Sequence, residues 1–253
     1  MLQIDLNCDM GESYGVYTLG HDEETMPFVT SINVACGFHA SDPMNMQKTV
    51  KLAKKYGVAV GAHPSFPDLV GFGRREMVAT AEEVKADVIY QIGSLWGFCL
   101  TEGLKMQHVK AHGGLYNVAV KDLTVATALA EAIKTVDSDL YMLCLANSAM
   151  VEAAKKVGVK YVEESFADRA YTAQGTLVSR KLPGSVIHDV DTVVERVMGM
   201  VKKQQVTSID GAAISLKTQT VCVHGDTPGA VAMIKKIREV LTGEGVVFKA
   251  FGA

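Results

Sequence analysis

Five segments of this sequence share one design: an apolar, β-prone run that breaks into groups capable of acid–base chemistry. Asn33-Val-Ala-Cys-Gly-Phe-His-Ala-Ser-Asp-Pro43 passes through Val34 and Ala35, breaks at Gly37, and presents His39, Ser41 and Asp42. Ile4-Asp-Leu-Asn-Cys-Asp-Met-Gly-Glu12 ends in Asp9 and Glu12, and Val58-Ala-Val-Gly-Ala-His63 ends in His63. Gln107-His-Val-Lys-Ala-His-Gly113 ends in Lys110 and His112, and Val221-Cys-Val-His-Gly-Asp226 ends in His224 and Asp226. Strand carboxyl ends are where α/β barrels and open α/β sheets build active sites. Repetition of the design points to one shared site.

The residue types suit hydrolysis. A carboxylate such as Asp9 or Glu12 can act as general base on water, and a histidine can protonate a leaving nitrogen or oxygen. Lys110 could stabilise an oxyanion or a phosphoryl group. Gly113 and Gly114 would let a substrate approach backbone N–H groups. Asp9, His39 and His63 also make a plausible carboxylate–imidazole set for Zn²⁺ or a similar ion. No H-E-x-x-H pair is present, so such ligands would come from separate strands. Structural readings compete at several positions. His21 and His188 fit hydrogen-bonded structural roles, and Asp42 before Pro43 fits a helix N-cap. Arg74 and Arg75 suit either a phosphate clamp or a solvated loop.

Positioning these groups requires strands in alternation with helices. The pattern gives strands at 2–7, 31–36, 58–62, 106–111, 140–145, 159–163 and 220–224. Helices fall near 22–29, 43–56, 80–102, 121–135, 147–157, 189–204 and 228–241. Thr80-Ala-Glu-Glu83 is a capping-box start, and Gly57 and Gly158 mark helix ends. The segment 165–187 is polar and turn-rich and reads as an insertion over the site; Asp210-Gly211 reads as a hairpin turn. Alternation implies a parallel sheet with right-handed crossovers. A closed (β/α) barrel is favoured over an open doubly wound sheet.

At 253 residues the chain suits one domain, and 48% hydrophobic content supplies ample core. A formal net charge of −3 gives no electrostatic case for nucleic acid or an anionic membrane. No apolar run approaches the roughly 20 residues of a membrane helix. Met1-Leu-Gln-Ile carries no signal-peptide features, and the five cysteines lack C-x-x-C spacing and read as reduced core residues. A cytoplasmic protein is expected. With neither G-x-G-x-x-G after the first strand nor a P-loop, a self-contained nucleotide site is not expected.

Ile4-Asp-Leu-Asn-Cys-Asp-Met-Gly-Glu-Ser13, Asn33-Val-Ala-Cys-Gly-Phe-His-Ala-Ser-Asp-Pro43, Gly61-Ala-His-Pro-Ser-Phe-Pro-Asp68 and Val109-Lys-Ala-His-Gly-Gly-Leu-Tyr-Asn117 resemble, in order, the signature blocks of the LamB/YcsF family, the A subunits of 5-oxoprolinase. Glu164-Ser-Phe-Ala-Asp-Arg-Ala-Tyr171 and Cys222-Val-His-Gly-Asp226 resemble its later blocks. The resemblance spans the chain. It implies a single α/β domain over residues 1–253, a seven-stranded (β/α) barrel similar to sugar deacetylases. It implies ATP-dependent opening of 5-oxoproline to L-glutamate, with partner subunits B and C and with ATP bound by or with those partners. The implied catalytic set is Asp9, Glu12, His39, His63, Lys110 and His112. Asp9 or Glu12 would activate water, and His39 or His63 would protonate the ring nitrogen. Asn7, Asn33, Gly37, Arg74, Tyr116, Arg169, His224 and Asp226 form the implied substrate-binding set. Within it Arg169 holds an anionic group and Asp226 orients His224. No metal ligand is assigned, and a divalent metal requirement stays open, as does a homo-oligomer.

Two other readings fit the same residues. One is a metal-dependent deacetylase of a small amidated sugar, with Asp9, His39 and His63 as ligands. The other is a non-catalytic barrel that binds a carbohydrate or carboxylate.

Overall fold

A computed structural model describes residues 1–225 and 229–252. Six strands, β1 (Gln3–Met10), β2 (Ser31–Ala35), β3 (Ala59–His63), β4 (Met106–Val109), β5 (Tyr141–Leu145) and β6 (Lys160–Phe166), pair in sequence order. A short antiparallel hairpin, β7 (Gln205–Thr207) and β8 (Ala213–Ser215), follows at the anticipated Asp210-Gly211 turn. Strand β9 (Thr220–Cys222) then pairs in parallel with both β6 and β1, placing Cys222 opposite Phe166 and Asn7. Seven parallel strands therefore close into a barrel, as the sequence pattern favours. A last strand, β10 (Val247–Phe248), pairs with the start of β1 outside the closed ring.

Helices α1 (Asp22–Thr25), α2 (Pro43–Tyr56), α3 (Ala81–Glu102), α4 (Gly113–Ala119), α5 (Leu123–Val136), α6 (Ala149–Val157), α7 (Val190–Met198) and α8 (Ala230–Gly243) accompany the strands. Local chemistry fixes their ends. The Asp42 carboxylate accepts from the Met44 and Asn45 amides at the start of α2, which ends at left-handed Gly57. Thr80 and Glu83 close a full capping box on α3. Three boundaries depart from expectation. Strand β6 runs to Phe166 because β9 supplies a ladder partner for Glu164 through Phe166. Helix α4 begins at two glycines, poor helix formers in isolation. It is held by packing against the 66–75 loop, with the Gly114 amide donating to the Gly73 carbonyl at 2.7 Å. Helix α7 stops at Met198 and passes into a π-helical turn at Gly199–Lys203.

The two faces of the barrel wall differ in kind. Alternate residues of β1, Leu6, Cys8 and Met10, are buried in the apolar cluster that also takes in Val50, Ile92, Leu129 and Ile237 of the helices. Each such fully buried aliphatic side chain contributes about 1.5–3 kcal/mol. The other alternate set, Asp5, Asn7 and Asp9, is buried and joins a polar network across the barrel. Layers of Val, Ile and Leu are the usual filling of such a barrel; here hydrogen-bonded polar side chains take their place. Among the described residues no helix is long and apolar enough to cross a membrane.

Candidate active site

A cavity of about 830 Å³ opens at the carboxyl ends of the strands. Asp9, His63, Lys110, His112, Tyr116 and His224 line its wall and floor, and Arg74, Arg169 and Arg180 also face it. Residues 172–181 form part of its wall, so the turn-rich segment does lie over the site. The anticipated residues fall into three tiers. Asp9, Lys110, His63, His112, Tyr116, Arg74, Arg169 and His224 reach the cavity; Glu12 and His39 stand behind its wall; Asn7 and Asn33 lie in the barrel interior beneath. Gly37 is exposed and supplies a left-handed turn (φ 93°) between β2 and His39. Asp226 lies outside the described residues.

The floor is built around Lys110, 2% exposed. Its ammonium donates to Asp9 Oδ1 at 3.1 Å and Asn7 Oδ1 at 3.2 Å, meets Glu164 Oε1 at 2.9 Å, and contacts Cys222 Sγ at 3.0 Å. Asn33 donates to Asn7 Oδ1 and Asp9 Oδ1, both at 2.8 Å, and accepts from His108 Nε2 at 2.8 Å. Burial alone would push Lys110 down, but Asp9, Cys222 and Glu164 outweigh it and hold the ammonium well above its ordinary range. Burial likewise raises Asp9, and the charges of His63 and Lys110 more than offset it, so the carboxylate stays ionised. With its three protons committed, Lys110 fixes Asp9 in place and in charge.

Gly61 lets His108 cross the barrel here. A Cβ at position 61 would stand 2.2 Å from the His108 ring. Burial, then Lys110 and His63, push His108 down to about 3, so the ring is neutral and donates to Asn33.

Above the floor, three imidazoles cluster. His39 and His112 stack with centroids 3.8 Å apart, and His63 meets both edge-on. Glu12 Oε1 lies 3.3 Å from His39 Nε2 and 3.8 Å from His112 Nδ1. Burial, reinforced by the neighbouring rings, holds His39 and His112 well below the usual histidine range. Neutral imidazoles are poor acids but good ligands. The ligand atoms of Glu12, His39, His63 and His112 lie within 4.8 Å of one another, as do those of Asp9, Cys222 and His224. In the second group burial pushes the Cys222 thiol up, which keeps it a weak ligand. The carboxylate that completes the three-imidazole cluster is Glu12; Asp9, 3.4 Å from His63 Nε2, stands at its edge.

Across the cavity, His224 Nδ1 donates to Asp168 Oδ1 and Oδ2 at 2.8 and 3.0 Å. Burial raises Asp168, and the His224 charge and hydrogen bond more than offset it, leaving the carboxylate below its ordinary value. Asp168 thus orients His224; Asp226, to which the sequence reading gave that role, lies outside the described residues. Asp168 and Glu164 join the site without having been named as site residues by that reading. Both continue the period-two spacing of β6 past residue 163, where the strand was expected to end. The Tyr116 hydroxyl is committed to Glu164 Oε2 at 3.0 Å, and Arg169 donates to the Ser185 and Val178 carbonyls, tying down the covering segment. Arg75 pairs with Asp68, while Arg74 lies over the Phe72 ring at 4.8 Å and faces the cavity.

A closed seven-stranded parallel barrel with carboxylates and imidazoles gathered at its carboxyl end defines the class: a (β/α) barrel with an acid–base cluster at its mouth. The chain belongs to the LamB/YcsF family, whose profile matches residues 4–253. A Campylobacter jejuni protein whose name makes it the A subunit of 5-oxoprolinase is 54% identical over 244 residues, 96% of each chain. The crystal structure of a lactam utilization protein from Thermus thermophilus matches with TM-score 0.94 and 46% identity, over 99% of this chain and 100% of that one. The catalytic domain of a peptidoglycan N-acetylglucosamine deacetylase from Eubacterium rectale shares the fold, with TM-score 0.51 and 12% identity over 99% and 89% of the chains.

Proposed function

We propose that this chain is the A subunit of an ATP-dependent 5-oxoprolinase and carries the hydrolytic opening of the ring. One observation bears most of the weight. An ionised carboxylate, Asp9, lies in a cavity shared with the Asp168-held His224 and edged by Arg74, Arg169 and Arg180. The names carried by its relatives point to the same substrate class.

The chemistry follows from the lactam. A five-membered cyclic amide resists water, and transfer of a phosphoryl group from ATP to its carbonyl oxygen makes the ring carbon electrophilic. Asp9 takes a proton from water as its oxygen bonds to that carbon. His224, held through Nδ1 by Asp168, delivers a proton from Nε2 to the ring nitrogen as the C–N bond breaks, and the added hydroxyl gives up its remaining proton to solvent as the C=O bond forms. The product is an acyl phosphate, and a second water releases phosphate to give L-glutamate. Arg74 and Arg180 balance the charge of the substrate carboxylate and phosphoryl group. Phosphorylation is assigned to partner subunits B and C, in keeping with the missing nucleotide loop.

Complementation tests the reading. An extract lacking only this chain receives purified chain, 5-oxoproline and ATP, and glutamate is followed over time. Glutamate should require all of the components. Its absence, in an extract verified to contain both partners, would refute the proposal and direct attention to deacetylase substrates. Asp9→Asn should lose at least about 10²-fold in glutamate formation with its fold intact; near-normal turnover by that variant would remove Asp9 from the mechanism.

A further inference from the structure

Two imidazole nitrogens face each other inside this protein. His63 Nδ1 lies 2.7 Å from the Lys110 carbonyl, and His112 Nε2 lies 2.9 Å from the Phe72 carbonyl. A carbonyl can only accept, so each ring spends its N–H there. The opposite nitrogens, His63 Nε2 and His112 Nδ1, then point at one another across 3.0 Å. Two acceptors at that distance repel unless a cation or a proton lies between them. Histidines whose second nitrogen is anchored on a carbonyl are the usual arrangement for metal ligands.

We propose that Glu12, His39, His63 and His112 form a binding site for one divalent transition-metal ion of the Zn²⁺ class. Three of the six ligand–ligand edges are close to those of a tetrahedral site, and all six lie within 4.8 Å. With ligand bonds of about 2.0–2.1 Å, the edges of a tetrahedral site are about 3.3 Å. The edges here are 3.0 Å between His63 and His112, 3.3 Å between His39 and Glu12, and 3.8 Å between His112 and Glu12. Three imidazoles with one carboxylate favour a borderline ion over Mg²⁺ or Ca²⁺. The ligands come from the ends of four consecutive barrel strands, β1 to β4, so the ion would tie the wall of the cavity together. The site does not depend on the oxoprolinase reading: it stands or falls on metal content, whatever the substrate.

The test is direct metal measurement on the full chain. Protein stripped with a chelator is reloaded separately with Zn²⁺, Co²⁺ and Mg²⁺, desalted, and analysed by atomic emission. One equivalent of Zn²⁺ or Co²⁺, no Mg²⁺, and a Co²⁺ visible spectrum of nitrogen–oxygen coordination are expected. Glu12→Gln and His63→Gln should each weaken Zn²⁺ at least tenfold in competition with a chromogenic chelator. His21→Ala and His188→Ala, on the surface, should leave it unchanged. Failure of the parent protein to retain stoichiometric Zn²⁺ or Co²⁺ would overturn the proposal, leaving a proton shared between His63 and His112. Retention undiminished in folded His63→Gln, verified by circular dichroism, would overturn it equally.

Discussion

Replacing Lys110 with methionine tests the account of the barrel floor most severely. The substitution keeps much of the side-chain volume and removes the one ammonium between Asp9 and Glu164, both within 3.1 Å of it. Removing one partner of a buried ion pair costs about 3–5 kcal/mol, because the remaining charge is left without compensation in a poorly solvated place. In the parent protein Asp9 is held below its ordinary value, so its contribution is present above the unfolded pKa of about 3.9 and is lost only below it. In Lys110→Met the His63 charge, the largest influence opposing burial, remains, so the Asp9 pKa should rise towards its unfolded value. The linkage keeps its sign and shrinks: the variant gains less stability than the parent as pH rises through the folded Asp9 pKa, so its deficit is greatest at neutral pH and narrows in acid. Urea unfolding of both proteins at pH 3, 5 and 7, followed by fluorescence with m-values compared, measures the difference. The expected deficit at pH 7 is about 3–5 kcal/mol and smaller at pH 3. A deficit under about 1 kcal/mol at pH 7, or one independent of pH, would refute the charge balance described here.

Three further predictions rest on separate contacts. Asp168→Asn, which removes the charge holding His224 Nδ1–H, should lower kcat about 10²-fold with KM little changed, and adding it to His224→Asn should cost nothing more. Additive losses would separate the two residues. Gly61→Ala places a methyl group 2.2 Å from the His108 ring and should destabilise by about 1–3 kcal/mol by overpacking; an unchanged melting temperature would show that His108 does not need the space. Asp5, buried beneath the network, is pushed up to about 6 by burial, only partly offset by hydrogen bonds from Thr220, Thr30 and Ser31. Its folded pKa exceeds the unfolded one, so it costs about 3 kcal/mol of stability as pH rises from 4 to 6. Asp5→Asn should remove that slope, and identical pH–stability curves for parent and variant would contradict it.

Much of this architecture is local in origin and could be read along the chain. Strand positions, the capping of α2 by Asp42 and α3 by Thr80, and the stop at Gly57 follow from side-chain periodicity and backbone preferences over a few residues. The groups at the strand ends were legible for the same reason, since a strand that changes from apolar to polar announces its carboxyl end. Barrel closure was not legible in that way. It brings Asn7 against Glu164, 157 residues apart, and only the pairing of β9 with both β1 and β6 makes Glu164 part of the Lys110 cage. Asp168 holds His224 across 56 residues by the same closure. Nor could the sequence distinguish a histidine that protonates from one that ligates. That depends on which ring nitrogen meets a backbone carbonyl, and those carbonyls, of Lys110 and Phe72, are placed by tertiary packing.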